Sequence, residues 1–291
     1  MEVPKFIASY WTLAGDVVPL GTSDQEASSH SLAERVEVAA KAGYSGIGLM
    51  RSDLLKILQK HSYSEIKSIL IDYEMRYLEL EFLVGWMGDG AERDESELVL
   101  CDMLTAADRL GVRHLKVGPD MSAKDWPMDL MIERFSGLCE RAKQVGTSIS
   151  LELMPWSNIR DLRTAMSVVS GAGYENGGLL LDIWHIARGG IEYSEISDIP
   201  AGLVNYVEIN DADKNVQGTL LEDTLNNRKF CGEGQLDIPG FFAALNLHGY
   251  KGPIGIEILS KVQRKRAFAD VAHDAIRCAS REFHKAQDVS G

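Results

Sequence analysis

Four carboxylates stand inside apolar runs. Glu152 lies in SISLELMPW, Asp182 closes the apolar part of GGLLLDIWH, Glu208 lies in VNYVEIND and Glu257 in GPIGIEILS. Burying one unpaired carboxylate costs several kcal/mol. A single such acid with an arginine partner is ordinary structure. Four of them, at the same depth in successive apolar runs, require a shared counter-charge. One divalent ion serves all four together, and oxygen donors suit Mg²⁺ or Mn²⁺. Separate ion pairs with Lys116, Arg228 or Arg188 are the alternative. An ion so held chelates adjacent hydroxyl and carbonyl oxygens. As a Lewis acid it stabilises the enediolate formed when an α-proton leaves, and a carboxylate at its rim can take that proton.

Other residues near these acids have chemistry to offer. His185, three residues after Asp182, can hydrogen-bond a substrate hydroxyl or relay a proton, or it can simply orient Asp182. Lys116 can polarise a carbonyl, hold a carboxylate, or pair with a ligand glutamate. Arg228 suits a bidentate phosphate or carboxylate, or else belongs to a surface loop. Glu81 reads as a buried structural acid. Trp11, Trp86 and Trp156 fall at predicted strand ends, where they either wall a substrate pocket or fill core.

The elements that must position these groups recur along the chain. A helical stretch, a Gly and a short β-rich run repeat as AGYSGIGLM, LGVRHLKVG, VGTSISLEL, GYENGGLLLD and HGYKGPIGIEI. The Gly suits a left-handed helix end, and the short apolar run suits a buried parallel strand. Adding FIASY, YLELEFL and VNYVEI predicts eight strands, near 6–10, 45–50, 77–83, 114–118, 149–154, 178–182, 204–209 and 253–258. Between them, Leu100, Met103, Leu104 and Ala107 keep helical spacing, as do Leu32, Val36, Ala39 and Ala40, with Ser31 as N-cap. Eight strands alternating with helices predict an α/β (β/α)₈ barrel forming a single domain over residues 1–291. An open doubly wound sheet would want a Gly-rich phosphate loop after the first strand, and WTLAGDVVPLG is not one. In a (β/α)₈ barrel the strand ends carry the active site, and that is where the acids fall.

The chain has 291 residues and a formal net charge of −13, which argues against a nucleic-acid partner. The four cysteines form no CxxC pair, which fits a reducing compartment. MEVPKFIASYW does not read as a signal peptide, and no stretch approaches the length of a membrane span. A cytoplasmic protein with no membrane partner is therefore expected.

LELMPW, LLLDIWHIARGG, YVEIND, RKFCGEG and GYKGPIGIEILS together resemble the xylose isomerase-like TIM-barrel family of sugar and sugar-phosphate isomerases and epimerases, with its related dehydratases. The resemblance covers nearly the whole chain and is densest from Ser148 to Ser260. It implies metal ligands at Glu152, Asp182, the strand-seven position and Glu257, a substrate-contacting or supporting His at His185, and a functional Arg at Arg228 before Gly232, Glu233 and Gly234. The strand-seven ligand in the family is usually His, sometimes Gln; here it is Glu208. Four carboxylates on one ion favour Mn²⁺ or Mg²⁺, with Co²⁺ or Zn²⁺ less suited. Alternatively Glu208 stays protonated, or leaves the ion and acts as a base.

By the same resemblance, Glu152 and Glu257 exchange protons on opposite faces of a substrate carbon. Returning the proton gives isomerisation or epimerisation of a sugar or keto-polyol; expelling a β-hydroxyl gives dehydration of a cyclic hydroxy-ketone such as dehydroshikimate or inosose. A non-catalytic binding barrel and an apurinic endonuclease rank lower, the latter because it needs a His-rich zinc cluster and this chain has seven His. The expected partner is a small polyhydroxy-carbonyl compound, with homo-oligomerisation left open because relatives often pair. Substrate choice is expected in loops such as 84–96 and 119–129.

Overall fold

In the computed structural model, which describes residues 4–289, eight parallel strands close into a barrel in chain order. They are β1 (Phe6–Ala8), β2 (Gly46–Met50), β3 (Tyr77–Leu83), β4 (His114–Val117), β5 (Ser148–Glu152), β6 (Gly177–Asp182), β7 (Val204–Ile209) and β8 (Ile254–Ile256). Pairing of β1 with both β2 and β8 closes the ring and excludes an open sheet. The predicted (β/α)₈ barrel is thus the observed architecture. Residues 1–3 and 290–291 of the expected 1–291 domain lie outside the described residues.

The strands are short and apolar because both faces are covered; β6, GGLLLD, is buried at every position. Helices form the outer layer. The helix Leu32–Ala42 opens on a reciprocal cap: Ser31 Oγ accepts from the Glu34 N–H, and the Glu34 carboxylate accepts from the Ser31 N–H. It ends at Gly43, whose φ of +102° favours glycine. On the helix Ala91–Leu110, Leu100, Met103 and Ala107 are buried and Leu104 is half-buried beside them.

Four strands stop short of their predicted ends: β4 at Val117, β5 at Glu152, and β1 and β8 by two residues each. β1 closes at Ala8 because the chain turns into the helix Tyr10–Leu13, although the Ser9 N–H still donates to the Ile256 carbonyl at 3.2 Å. β8 closes at Ile256, yet the Glu257 N–H still donates to the Ile209 carbonyl at 3.2 Å, which keeps this acid at the rim.

Side chains alternate between the helical layer and the barrel interior. Leu151, Leu181, Val207 and Ile256 join the main core under the helices. Their neighbours Glu152, Asp182, Glu208 and Glu257 therefore turn inward. One layer further toward the strand N-termini, Ile7, Leu180 and Tyr206 form a small apolar plug. Gly255 makes room for it: a Cβ there would lie 2.4 Å from the Tyr206 hydroxyl. Among the described residues no helix is long and apolar enough to cross a membrane. All four cysteines are free thiols.

Candidate metal centre

Glu152 and Asp182 are the last residues of β5 and β6, Glu208 stands opposite Asp182 in the β6–β7 register, and Glu257 directly follows β8. The barrel brings all four together. Donor atoms of Asp182, Glu208 and Glu257 lie within 4.8 Å of one another, and so do those of Glu152, Asp182 and His185. His185 comes from the short helix Ile183–Arg188, which Asp182 caps by accepting the Trp184 N–H at 2.6 Å. The imidazole does not turn onto Asp182 itself. Its Nε2 lies 3.2 Å from Glu152 Oε1, and its buried Nδ1 has no hydrogen-bond partner. Asn210 Nδ2 donates to both Asp182 oxygens, at 3.2 and 3.3 Å.

Two buried cations interleave with the acids. Lys116, 1% exposed, places Nζ 2.6 Å from Glu208 Oε1, 3.1 Å from Glu79, 3.4 Å from Glu257 and 3.5 Å from Glu81. Arg228, 2% exposed, places Nη1 2.7 Å from both Asp182 Oδ2 and Glu257 Oε2. Its other face donates to Thr224 Oγ1 at 2.8 and 3.2 Å. Arg188 goes elsewhere, to Asp223 at 2.9 Å. Ion pairing with Lys116 and Arg228 is therefore part of the site, and the ion-pair alternative holds for these two cations.

It does not balance the charge. Six buried carboxyls, those of Glu79, Glu81, Glu152, Asp182, Glu208 and Glu257, face two permanent cations. Burial, then repulsion from Glu257, pushes the Glu208 carboxyl well above its ordinary value despite Lys116. Burial also raises Glu257, against the pull of Lys116 and Arg228, and lifts Glu81 to about 8. Asp182 goes the other way: burial would raise it, but Arg228, His185 and the Trp184 N–H hold it low. Burial works against the Lys116 ammonium, yet Glu208, Glu79, Glu81 and Glu257 hold it well above its ordinary range.

Glu208 Oε1 is taken by Lys116 and by the Ser9 hydroxyl at 2.5 Å, while the buried Oε2 has no hydrogen-bond partner. An orphaned carboxylate oxygen beside surplus negative charge fits a divalent cation. The acid and imidazole donors could hold one, with Arg228 beside it.

The cluster floors a cavity at the C-terminal mouth of the barrel, lined by Glu81, Glu152, His185, Arg228 and Glu257 at its base. Trp11 and Trp156 stand on its walls with Met50, Met121 and Met154. Trp11 Nε1 donates to Glu81 Oε2 at 3.1 Å, and Trp156 packs against the His185 ring.

One expectation needs correction. Trp86 does not reach the cavity; it is fully buried against Phe135 and donates its Nε1–H to the Gly118 carbonyl at 2.6 Å, so it is core. Glu81 is a buried, paired acid as expected, and it also lines the cavity. Lys116 lies beneath the cavity and is not among its lining residues. Of the two loops singled out, 119–129 reaches the cavity through Met121, whereas 84–96 borders a neighbouring cleft through Val84, Gly85 and Glu92.

Sequence reasoning missed Glu79 and His114. His114 Nε2 lies 3.4 Å from Glu79 Oε2 inside the barrel, and burial, with Arg113 and Lys116, holds the imidazole well below its ordinary value. The signal available was the acid alternation in YLELEFL, which also describes a half-exposed strand.

Asp211 explains the glycine-rich segment after Arg228: its carboxylate accepts the backbone N–H groups of Gly232, Gly234 and Leu236 at 2.8–3.0 Å.

A family model described as xylose isomerase-like TIM barrel matches residues 36–277. Among curated proteins, a 3-dehydroshikimate dehydratase of Pseudomonas aeruginosa is 27% identical over 267 residues, covering 86% of this chain and 39% of that protein. The chain thus spans about two fifths of the length of the dehydratases it matches, the second being from Pseudomonas putida. An inosose isomerase of Halalkalibacterium halodurans is 23% identical over 258 residues, covering 86% of this chain and 89% of that protein. A solved structure of the IOLI protein with a binding zinc atom superposes with a TM-score of 0.85 at 19% identity, over 97% of this chain and 99% of that one. At that identity the likeness is one of fold.

Proposed function

The chain belongs to the xylose isomerase-like TIM-barrel family, and from that premise we propose that it is a metal-dependent enzyme that moves a proton beside the carbonyl of a small hydroxy-carbonyl substrate, returning it as an isomerase or epimerase. One observation carries this reading: Glu152 and Glu257 line the cavity floor, Asp182 and Glu208 cluster with them, and together they supply more carboxylates than Lys116 and Arg228 neutralise. Glu152, Asp182, Glu257 and the free Oε2 of Glu208 would hold the ion. Their hard oxygens favour Mn²⁺ or Mg²⁺, while His185 leaves Co²⁺ or Zn²⁺ open. When bound, the ion supplies Lewis-acid stabilisation of negative charge building on adjacent substrate oxygens.

The chain's own groups do the rest. Glu152 and Glu257 come from strands three places apart in the ring, so they approach the substrate carbon from different sides and can take and return its proton. The raised Glu257 carboxyl suits a group that must hold a proton in one half of the cycle. His185 Nε2, 3.2 Å from Glu152, is placed to relay a proton, and Arg228 to fix an anionic oxygen. Lys116 is a positioning residue that fixes Glu208 and Glu257 from below. Trp11 and Trp156 wall the substrate, a small molecule held at the mouth of the barrel.

Dehydration is the second reading, favoured by the 27% identity to a 3-dehydroshikimate dehydratase and by walls that would accept a planar product. Incubating Mn²⁺-loaded protein with inosose and with 3-dehydroshikimate in D₂O tests both readings. Deuterium at the α-carbon without loss of hydroxyl supports the isomerase. A new conjugated or aromatic ultraviolet band supports the dehydratase. Failure of the protein to bind Mn²⁺ would refute the metal-enzyme reading.

A further inference from the structure

The charged and titratable side chains of the cavity lie together on its floor. Above Glu81, Glu152, His185, Arg228 and Glu257, the side chains facing the space are apolar: Met50, Met121, Met154, Phe82, Leu225 and Leu259. Of the two wall tryptophans, Trp11 has its indole N–H given to Glu81, which leaves the Trp156 N–H as the indole donor on the wall. Thr224 also reaches the cavity; its hydroxyl accepts from two Arg228 nitrogens, which ties it to the floor, and keeps its own O–H to donate there. Leu20 and Leu221 continue the apolar lining to the mouth and are 56% and 37% exposed.

A sugar or inositol carries hydroxyls around its whole body. Each hydroxyl pressed on such a wall loses its water partners and gains none, at about 1–3 kcal/mol apiece. A hydrocarbon or unsaturated body instead buries apolar surface against thioethers, leucines and indole faces.

We propose that the substrate is polar along one edge only: a hydroxy-carbonyl edge that meets the floor, joined to a hydrocarbon or flat, unsaturated body that meets the walls. This inference rests on the metal-enzyme reading and narrows its substrate class, away from compounds hydroxylated on every side. The apolar wall residues, Met121 and Met154 foremost, are the specificity-determining ones.

Two probes that share a chelating edge and differ in body test it by titration calorimetry on the Mn²⁺-loaded full chain. Benzohydroxamate presents a phenyl body and D-threonohydroxamate a hydroxylated one. Benzohydroxamate is expected to bind at least about 30-fold more tightly, as follows when two or more hydroxyls are left unpaired. Met121→Gln, which puts an amide on the wall with little change in volume, is expected to narrow that ratio by at least threefold by tightening the polyol probe. Comparable affinity of the two probes for the unaltered protein would overturn the proposal while leaving the metal reading intact. A ratio in favour of benzohydroxamate that Met121→Gln leaves unchanged would overturn the assignment of specificity to this wall. Absence of Mn²⁺ binding by the protein alone would remove the metal reading and this inference with it.

Discussion

Replacing Lys116 with Met should destabilise the metal-free protein severely, for a reason specific to this site. The ammonium is 1% exposed and lies within 3.5 Å of four carboxylates. Its contact with Glu208 at 2.6 Å alone corresponds to about 6 kcal/mol at an effective dielectric of about 20, much of it offset by desolvation of both groups. Met fills nearly the same volume, so the loss is electrostatic: breaking a buried pair from one side costs about 3–5 kcal/mol. Urea unfolding at pH 7.5 in chelator, followed by circular dichroism and tryptophan fluorescence, measures it. Adding Glu208→Gln to Lys116→Met removes one of the stranded carboxylates and should recover at least about 1 kcal/mol, a coupling of the size expected for residues in contact. Lowering the pH should also rescue the single variant, because Glu208 and Glu257 already hold their protons to higher pH than ordinary carboxyls. Lys116→Met within about 1 kcal/mol of the unaltered protein, or strict additivity with Glu208→Gln, would show that Lys116 does not hold the acid cluster together.

Three further predictions concern the same site. Glu152→Gln and Glu257→Gln should each lower turnover by about 10²–10⁴, the usual worth of a positioned proton-transfer group, in steady-state kinetics on whichever substrate is turned over; retention of more than half the activity in either would remove it from the proton-transfer pair. The metal-free protein should lose stability as pH rises from 4.5 toward 8, because burial lifts the folded Glu81 carboxyl to about 8 from an ordinary 4.5. Its proton is bound more tightly in the folded state, so that stabilisation is complete below 4.5 and gone above 8. Saturating Mn²⁺ should flatten this slope in thermal melts, and a metal-free stability that rises through the window would contradict it. Finally, Asp211→Ala strands the N–H groups of Gly232, Gly234 and Leu236 and should cost about 2–4 kcal/mol. Hydrogen exchange should accelerate across 229–236, and unchanged protection there would count against this role.

The acid cluster could hold a cation beside two permanent side-chain cations because its ion pairs divide unevenly. Arg228 draws on Asp182 and Glu257, and Lys116 draws chiefly on Glu208. Glu152 is left with only His185, and Glu208 keeps one oxygen without a partner. When Glu208 is ionised, the Lys116 ammonium matches its charge. The Glu at the strand-seven position could then offer one oxygen to an ion while adding little to the total charge there.

The eight strands, their closure into a barrel and the placement of the four acids at strand ends were legible in the sequence. Period-two alternation sends Leu151, Leu181, Val207 and Ile256 to the helical layer and their acidic neighbours inward, and this is local information. Which inward groups touch is not local. Lys116 meets Glu208 across 92 residues and Glu257 across 141, a contact fixed by closure of the ring. Glu79 meets His114 more simply, as its register partner on the adjacent strand β4. Loop paths decided the tryptophans: Trp11 turns to the cavity floor through Glu81, while Trp86 turns into the core because the Gly118 carbonyl accepts its N–H. The apolar walls were hidden for the same reason. Met50, Phe82, Met121, Met154 and Leu225 come from five separate strand-to-helix connections or their edges, each of which reads alone as ordinary core. Only the closed barrel places them around one space, and that placement makes them a surface for a ligand.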